Sequence, residues 1–262
     1  MNRFAALTAP ILFVLAATTA GAAVTTETVR YEIDGTEHIG YLAYDDSVDG
    51  PRPGVLVIHE WWGLNDYAKR RARELAGLGY VAFAADMYGG GRTTGDPEQA
   101  GAWSDAAKPH LRERAGAALA RLAETPRVDA GRLAAIGFCF GGTTVLQLAY
   151  SGADLDAAVS FHGHLPTPAE DDEIGASILV LHGAADPYVP PADVTAWEKA
   201  MNARAGLDWH LTAYGHAEHA FTNQGADEHG LDGVAYDATA ARRAWAHMRV
   251  FLEQTLDAGD AP

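Results

Sequence analysis

The feature that most constrains the fold is a regular alternation of short apolar runs with longer segments of helical periodicity. Short runs rich in β-branched residues are typical of buried strands, whereas an apolar stripe at helical spacing predicts a helix. Strands that alternate with helices form a mainly parallel sheet with helices on both faces, so we predict an α/β fold. The predicted strands span residues 54–59, 80–85, 133–136, 157–161, 178–181 and 209–213, and the predicted helices 66–78, 97–123, 143–150, 192–205 and 237–256.

The first 22 residues predict an export signal rather than part of the fold. Arg3 supplies a positive charge, residues 4–20 form an apolar run, and an Ala-x-Ala pattern ends at Ala22; these are the parts of a secretory signal peptide. A membrane anchor is the alternative, but the run is short for a span and contains Pro10. We predict cleavage after Ala22, no stable membrane insertion after cleavage, a periplasmic or secreted protein, and a single domain over residues 23–262.

Charge and cysteine content limit the possible partners. The chain carries 19 Lys and Arg residues against 35 Asp and Glu residues, a formal net charge of −16. A field of this sign repels phosphate, so nucleic acid and anionic membrane surfaces are not expected to bind. Cys139 is the only cysteine, which excludes an intramolecular disulfide and a cysteine-only metal cluster. We expect a small-molecule ligand and a monomeric chain.

The strongest chemical motif is a cysteine framed by glycines, Gly137-Phe138-Cys139-Phe140-Gly141-Gly142. It lies between a predicted strand and a predicted helix, and it has the form of the nucleophile elbow G-x-S-x-G with cysteine in place of serine. Backbones approach so closely at such a turn that flanking side chains do not fit, and the N-terminus of the following helix favours a thiolate. A small buried cysteine in a glycine turn is the simpler alternative.

An acid and a histidine follow the cysteine in the chain order of an α/β-hydrolase. Asp186 lies in a turn after the strand at 178–181, and His219 follows the strand at 209–213. In that fold the acid orients the histidine and stabilises its protonated form. Asp186 also fits an ordinary Ala-Asp-Pro turn, and His216 is an alternative to His219.

A glutamate and two tryptophans follow the first predicted strand, as His59-Glu60-Trp61-Trp62-Gly63. In an α/β-hydrolase this loop supplies one N–H group of the oxyanion hole, and the residue after the nucleophile supplies the other. A carboxylate beside two tryptophans is unusual in a structural loop, because its burial is costly unless it is paired. A solvated Glu60 at the loop rim is the alternative.

Histidine pairs raise a metal site as a further alternative. His162 and His164 are separated by one residue, and His216 and His219 by two. This spacing lacks the pattern of a zinc helix, and a ligand cluster would not explain the glycines around Cys139. We therefore expect no metal.

Together these residues resemble the dienelactone hydrolase family of α/β-hydrolases, over about residues 27–255. The combination of an elbow cysteine with the glutamate loop is the most specific part of the resemblance. The motifs that carry it are His59-Glu60-x-x-Gly63-x-Asn65, Gly137-x-Cys139-x-Gly141-Gly142, Gly183-x-x-Asp186-x-x-Val189-Pro190 and His219-Ala220-Phe221.

The resemblance implies hydrolysis of a lactone or carboxylic ester through an acyl-enzyme, without a cofactor. Cys139 corresponds to the nucleophile, His219 to the base and Asp186 to the residue that orients it. Glu60 corresponds to a glutamate that contacts the resting cysteine and helps to activate it when substrate arrives. The backbone N–H groups of the oxyanion hole correspond to those of Trp61 and Phe140.

The chain departs from the best-known family members, which bind a substrate carboxylate with two arginines. Arg92 is displaced beyond a run of three glycines, and no arginine follows His219 closely. The aromatic residues near the site favour an apolar or aryl ester, lactone or thioester instead. A non-catalytic, ligand-binding or redox-sensing exported version of the fold is the alternative. The candidate substrate-binding residues are Trp62, Tyr88, Arg92, Tyr188 and Phe221.

Overall fold

The computed structural model describes residues 24–256 and contains a single eight-stranded sheet. The strands are β1 (Val24–Ile33), β2 (Thr36–Asp45), β3 (Arg52–Ile58), β4 (Val81–Ala85), β5 (Val128–Phe138), β6 (Ala157–Phe161), β7 (Ser177–Gly183) and β8 (Trp209–Tyr214). The spatial order is β1-β2-β4-β3-β5-β6-β7-β8. Strands β3 to β8 are parallel, and β1 and β2 form an antiparallel edge. The predicted α/β class with a mainly parallel sheet is confirmed.

Helices cover both faces of the sheet. They are α1 (Asp66–Ala76), α2 (Pro97–Ala107), α3 (Leu111–Ala123), α4 (Phe140–Tyr150), α5 (Pro191–Asn202) and α6 (Ala238–Leu256). Helices α3, α4 and α5 pack on one face with Leu56 and Ile58 of β3, and α1 and α6 pack on the other face with Val55 and Val57. Successive residues of β3 thus enter opposite cores, as expected of a strand that is buried on both faces.

The β1–β2 hairpin is the main element that the sequence analysis missed. Its strands carry many exposed polar residues, so they lack the continuous apolar runs of the parallel strands. The hairpin turn is Asp34-Gly35, and both residues have positive φ angles, 49° and 74°. An Asp-Gly pair at such a turn is a strong hairpin signal, and it would have identified this element.

The predicted helix over residues 97–123 is in fact two helices. A short 3-10 helix at Lys108–His110 separates α2 from α3, and it contains Pro109. A proline inside a helix removes one backbone hydrogen bond and clashes with the preceding turn, which accounts for the break.

The last points concern the predicted signal peptide and membrane-spanning segments. The predicted signal peptide, residues 1–22, lies outside the described residues. Within residues 24–256, no helix combines the length and the apolar character that a membrane crossing requires.

Candidate active site

Cys139 lies at the sharp turn between β5 and α4, at the carboxyl edge of the sheet. Its backbone has φ 54° and ψ −114°, a conformation that L-residues rarely adopt and that persists only where the surroundings enforce it. A Cβ atom at Gly137 would clash with the Gly141 carbonyl, and one at Gly141 would clash with the Ile58 carbonyl. The glycines of the motif are therefore required by the close approach of β3, β5 and α4.

The sulfur of Cys139 faces an imidazole that is itself held by a carboxylate. Cys139 Sγ lies 3.0 Å from His219 Nε2, and His219 Nδ1 lies 2.8 Å from Asp186 Oδ2. Asp186 is buried in the turn after β7, and its other oxygen accepts a hydrogen bond from the Tyr188 N–H at 2.8 Å. The His219 backbone is fixed by hydrogen bonds with Gly233 and Ala235. This arrangement can move a proton between the sulfur and the imidazole.

The surroundings of His219 favour its protonated form. Burial alone would lower the pKa of His219, but negative charge on Cys139 and the hydrogen bond to Asp186 outweigh it and raise the pKa to about 10. The alternative histidine, His216, is exposed in the turn after β8. His219 is thus the one of the two that the fold brings to Cys139.

The loop after β3 is held in place by His59, which is fully buried. Its Nε2 accepts a hydrogen bond from the Met87 N–H at 3.2 Å, and its Nδ1 donates to the Glu60 carbonyl at 2.5 Å. The Tyr88 hydroxyl donates to the Trp61 carbonyl at 2.9 Å. Two side-chain hydrogen bonds therefore fix the backbone of the segment predicted to carry one half of the oxyanion hole. Phe140 begins α4, so its N–H group has no acceptor within the helix.

Glu60 is buried, contrary to the alternative of a solvated rim residue. It is only 2% exposed, and its Oε2 accepts a hydrogen bond from Asn223 Nδ2 at 2.6 Å. Burial raises the pKa of Glu60 to about 7, although the Asn223 hydrogen bond and the charge of His219 oppose this rise. Its hydrogen-bond partner, Asn223, is uncharged. Glu60 therefore gains and loses its proton near neutral pH.

Beside Cys139 and His219 lies a cavity of about 170 Å³. Glu60 and Asn223 form part of its wall, and no lysine or arginine of the described residues lines it. Much of the remaining wall comes from the segment 223–236, which we call the cavity loop. The other lining residues are Trp61, Trp62, His164, Tyr188, Ala220, Ala226, His229, Leu231 and Val234.

The five candidate substrate-binding residues fall into two groups. Trp62 and Tyr188 line the cavity, whereas Tyr88, Arg92 and Phe221 do not. Tyr88 and Phe221 are buried behind the wall. The Arg92 guanidinium donates to the carbonyls of Tyr88 and Gly89 and lies over the Trp103 ring. Each of these three side chains is held by packing or by backbone hydrogen bonds, and their contact with substrate stays a prediction.

Several residues of the site were given no role in the predicted active site by the sequence analysis. Asn223 and His229 belong to the cavity loop, and His229 stacks on Trp62 with ring centroids 3.9 Å apart. His59 and His162 are buried histidines that hold backbone groups of the site. Only a close match to a family motif could have indicated Asn223, because its partner Glu60 lies 163 residues earlier.

Within residues 24–256, no group of three or more His, Cys, Asp or Glu side chains has the arrangement of a metal site. The two histidines His162 and His164 lie in different surroundings: His162 is buried behind Cys139, whereas His164 is exposed at the cavity. The elements of the fold and the contacts at the strand ends are those of an α/β-hydrolase.

Comparison with known proteins defines the family. The dienelactone hydrolase family profile matches residues 39–256, so the chain belongs to this family. The fold superposes with a TM-score of 0.85 on a dienelactone hydrolase-like promiscuous phosphotriesterase from metagenomic libraries, with 42% identity over 89% of this chain and 99% of that chain. A Bradyrhizobium protein named as a probable 2-oxo-3-(5-oxofuran-2-ylidene)propanoate lactonase is 30% identical over 85% of this chain and 92% of its own length. The usf protein of Aquifex pyrophilus is 29% identical over 87% of this chain and 98% of its length.

Proposed function

We propose that the protein is a cysteine-dependent hydrolase of lactones or carboxylic esters that acts through an acyl-enzyme on Cys139. The observation that carries this proposal is the contact of Cys139 Sγ with His219 Nε2 at 3.0 Å, continued from Nδ1 to Asp186 at 2.8 Å. Family membership supports an ester or lactone as the substrate.

The first half-reaction acylates the sulfur. The Cys139 thiolate attacks the substrate carbonyl, and the tetrahedral oxyanion accepts hydrogen bonds from the N–H groups of Trp61 and Phe140. The intermediate then expels the alkoxide, which takes the proton from the His219 imidazolium. The products are a free alcohol, or the opened end of a lactone, and a thioester on Cys139.

The second half-reaction restores the enzyme. Neutral His219 removes a proton from a water molecule, which attacks the thioester carbonyl. Collapse of this intermediate breaks the carbon–sulfur bond, releases the carboxylic acid and returns the sulfur to its thiolate beside protonated His219. Asp186 holds the imidazole in one orientation through both steps. The sequence of steps uses protein groups and water and calls for no cofactor.

The cavity favours a neutral substrate with an apolar or aromatic group. Its wall combines Trp61, Trp62 and Tyr188 with the buried carboxyl of Glu60. A substrate carboxylate would lie near Glu60 without a lysine or arginine in the described wall to pair with it, and burying an unpaired charge is costly. We therefore propose an uncharged aryl or alkyl ester or lactone.

Glu60 is proposed to assist activation of Cys139, as the family resemblance implies. Its carboxyl is bound to Asn223 rather than to a cation, so it can gain or lose a proton near neutral pH. A neutral Glu60 would add no charge to the Cys139–His219 ion pair while substrate enters. An ionised Glu60 would favour the protonated state of His219.

A phosphotriester is a second candidate substrate. The relative with 42% identity is a promiscuous phosphotriesterase, and a phosphotriester is neutral, as the cavity wall of this chain requires. In-line attack by the Cys139 thiolate on phosphorus would form a sulfur–phosphorus bond and expel an aryl oxide. Water activated by His219 would then break the sulfur–phosphorus bond, release a phosphodiester and restore the thiolate.

The test compares hydrolysis by the wild-type protein and by Cys139→Ala in reducing buffer. The substrates are an uncharged aryl ester, the same ester bearing a carboxylate, a dienelactone and an aryl phosphotriester. We expect the neutral ester to be hydrolysed faster than its anionic analogue, and every activity to be lost in the variant. Unchanged hydrolysis by Cys139→Ala would overturn the proposal. Stoichiometric labelling of Cys139 without turnover of any substrate would favour the ligand-binding or redox-sensing alternative.

Export is a separate proposal that rests on residues 1–22 of the sequence. The N-terminal sequence of protein recovered from the periplasm or medium tests it, with Ala23 expected as the first residue. The expected monomer, and the expected lack of affinity for nucleic acid, can be checked on the same material by light scattering and by a gel-shift assay.

A further inference from the structure

His162 is a buried histidine behind the nucleophile for which the proposed reaction has no role. It follows β6 directly, is 1% exposed, and has a positive φ of 40°. Cys139, His162 and Ala220 are three non-glycine residues with positive φ, and all three lie around the proposed nucleophile and base. A bulky side chain in this conformation points to a constraint that the surroundings enforce.

The backbone N–H of His162 donates to the Leu181 carbonyl at 2.9 Å, and its ring accepts a hydrogen bond from the nucleophile itself. The Cys139 N–H lies 3.1 Å from His162 Nδ1 and is shared with the Phe161 carbonyl at 3.0 Å. Because a backbone N–H only donates, Nδ1 must be the unprotonated nitrogen of the ring. The ring proton therefore sits on Nε2, which lies 2.7 Å from Thr222 Oγ1.

Thr222 extends this contact to the segment that carries the histidine. Thr222 is three residues beyond His219, and its hydroxyl also lies 2.6 Å from the Tyr67 hydroxyl on α1. Arg71 Nη2 donates to the Thr222 carbonyl at 2.9 Å. One chain of hydrogen bonds thus joins α1, the histidine segment and the backbone of Cys139.

The acceptor role of His162 requires a neutral ring. A protonated ring would direct an N–H group at the Cys139 N–H, and it would place a second positive charge beside His219, whose ring centroid is 5.5 Å away. Burial, together with the charges of His219 and Arg71, holds the pKa of His162 well below its usual range. Tyr67 is hydrogen-bonded to Thr222 and not to the imidazole.

We infer that His162 is a positioning residue for the Cys139 nucleophile. By accepting a hydrogen bond from the Cys139 N–H it holds the strained turn so that Sγ stays opposite His219 Nε2. Thr222 fixes the tautomer that makes this possible. The inference rests on the proposed function, since it assigns a role within the same reaction.

The test replaces the His162 ring and its hydrogen-bond partner Thr222 in separate variants. His162→Leu removes the acceptor, whereas His162→Asn keeps an oxygen near the position of Nδ1 and suits a positive φ. Thr222→Val removes the hydroxyl that fixes the tautomer, and Thr222→Ser keeps it. For His162→Leu and Thr222→Val we expect kcat to fall, by up to about a hundredfold, with KM nearly unchanged, because a displaced nucleophile affects the transition state more than binding. His162→Asn and Thr222→Ser should retain most of the activity.

Two further readouts separate positioning from loss of structure. The pH profile of Cys139 alkylation by iodoacetamide should move to higher pH in His162→Leu and Thr222→Val, because the sulfur loses its alignment with His219. Thermal unfolding identifies variants that fail to fold; if His162→Leu is unfolded, the Thr222→Val and Thr222→Ser pair decides the question. Folded variants with the kcat and alkylation profile of the wild type would overturn the inference. Activity that survives in Cys139→Ala would instead overturn the proposed function.

Discussion

The turn at Cys139 and the cavity loop meet at the same cavity, but they are built in opposite ways. The turn is held by backbone packing so close that Gly137 and Gly141 admit no Cβ atom. The cavity loop has backbone hydrogen bonds to His219 through Gly233 and Ala235, but the residues that line the cavity are held largely by side chains. The Tyr188 hydroxyl donates to the Asp232 carbonyl at 2.7 Å, and His229 stacks on Trp62. The first region can hardly change without loss of the fold, whereas the second can change its lining residues. In this account the turn at Cys139 determines the chemistry, and the cavity loop determines the choice of substrate.

The largest effect that would test this contrast is expected at Gly141. In Gly141→Ala the new Cβ would clash with the Ile58 carbonyl, a backbone atom that cannot move aside, so we expect destabilisation of about 3 kcal/mol or more and loss of activity. The matched control is Gly116→Ala, because Gly116 lies within α3 with open space around it. Alanine there should raise stability, by up to about 1 kcal/mol. Urea unfolding of both variants decides, and equal stabilities would refute the backbone argument.

A second effect concerns Glu60, which is hydrogen-bonded to Asn223 of the cavity loop. In the unfolded chain Glu60 ionises near 4.5, whereas burial raises its pKa to about 7 in the fold. Between these values the folded protein binds more protons, so the free energy of unfolding falls as the pH rises and the loss is complete above pH 7. We expect Glu60→Gln to be more stable than the wild type at about pH 8, by up to about 3 kcal/mol, and to match it at about pH 4.

The measurement is urea unfolding at both pH values, with the exposed Glu253→Gln on α6 as the control. Glu60→Gln should also lose part of the esterase activity, since its amide cannot ionise. A variant that is less stable than the wild type at high pH would show that the ionised carboxylate is stabilised by the fold, contrary to this account.

The smallest effect is expected in the cavity loop. His229→Ala removes the ring that stacks on Trp62, so we expect KM for an aryl ester to rise, by about threefold to tenfold, with kcat and stability little changed. His210→Ala, with its side chain exposed on β8 and outside the cavity wall, is the control. A fall in kcat as large as that of a variant at the Cys139 turn would mean that the cavity loop also positions the reacting groups.

The features that could be predicted from the sequence are those with a local sequence signal, whereas contacts between distant residues could not be predicted. The parallel strands and the elbow were predictable, because β-branched runs and the glycine pattern are local. The Asp34-Gly35 turn was also local, but its amphipathic strands lack a buried run. The contact of Glu60 with Asn223 joins residues 163 positions apart, and the acceptor role of His162 depends on how β6 ends beside β5. Such contacts depend on tertiary packing, for which a single sequence has no spacing rule.

The central claim, a covalent intermediate on Cys139, is tested most directly by rapid acid quench and intact-protein mass spectrometry during hydrolysis of a neutral aryl ester. The account predicts a mass increase equal to the acyl group, mapped to the peptide that contains Cys139. The adduct should disappear once the substrate is consumed, and it should be absent from Cys139→Ala. Steady turnover with the adduct on another residue, or by Cys139→Ala at the wild-type rate, would contradict it.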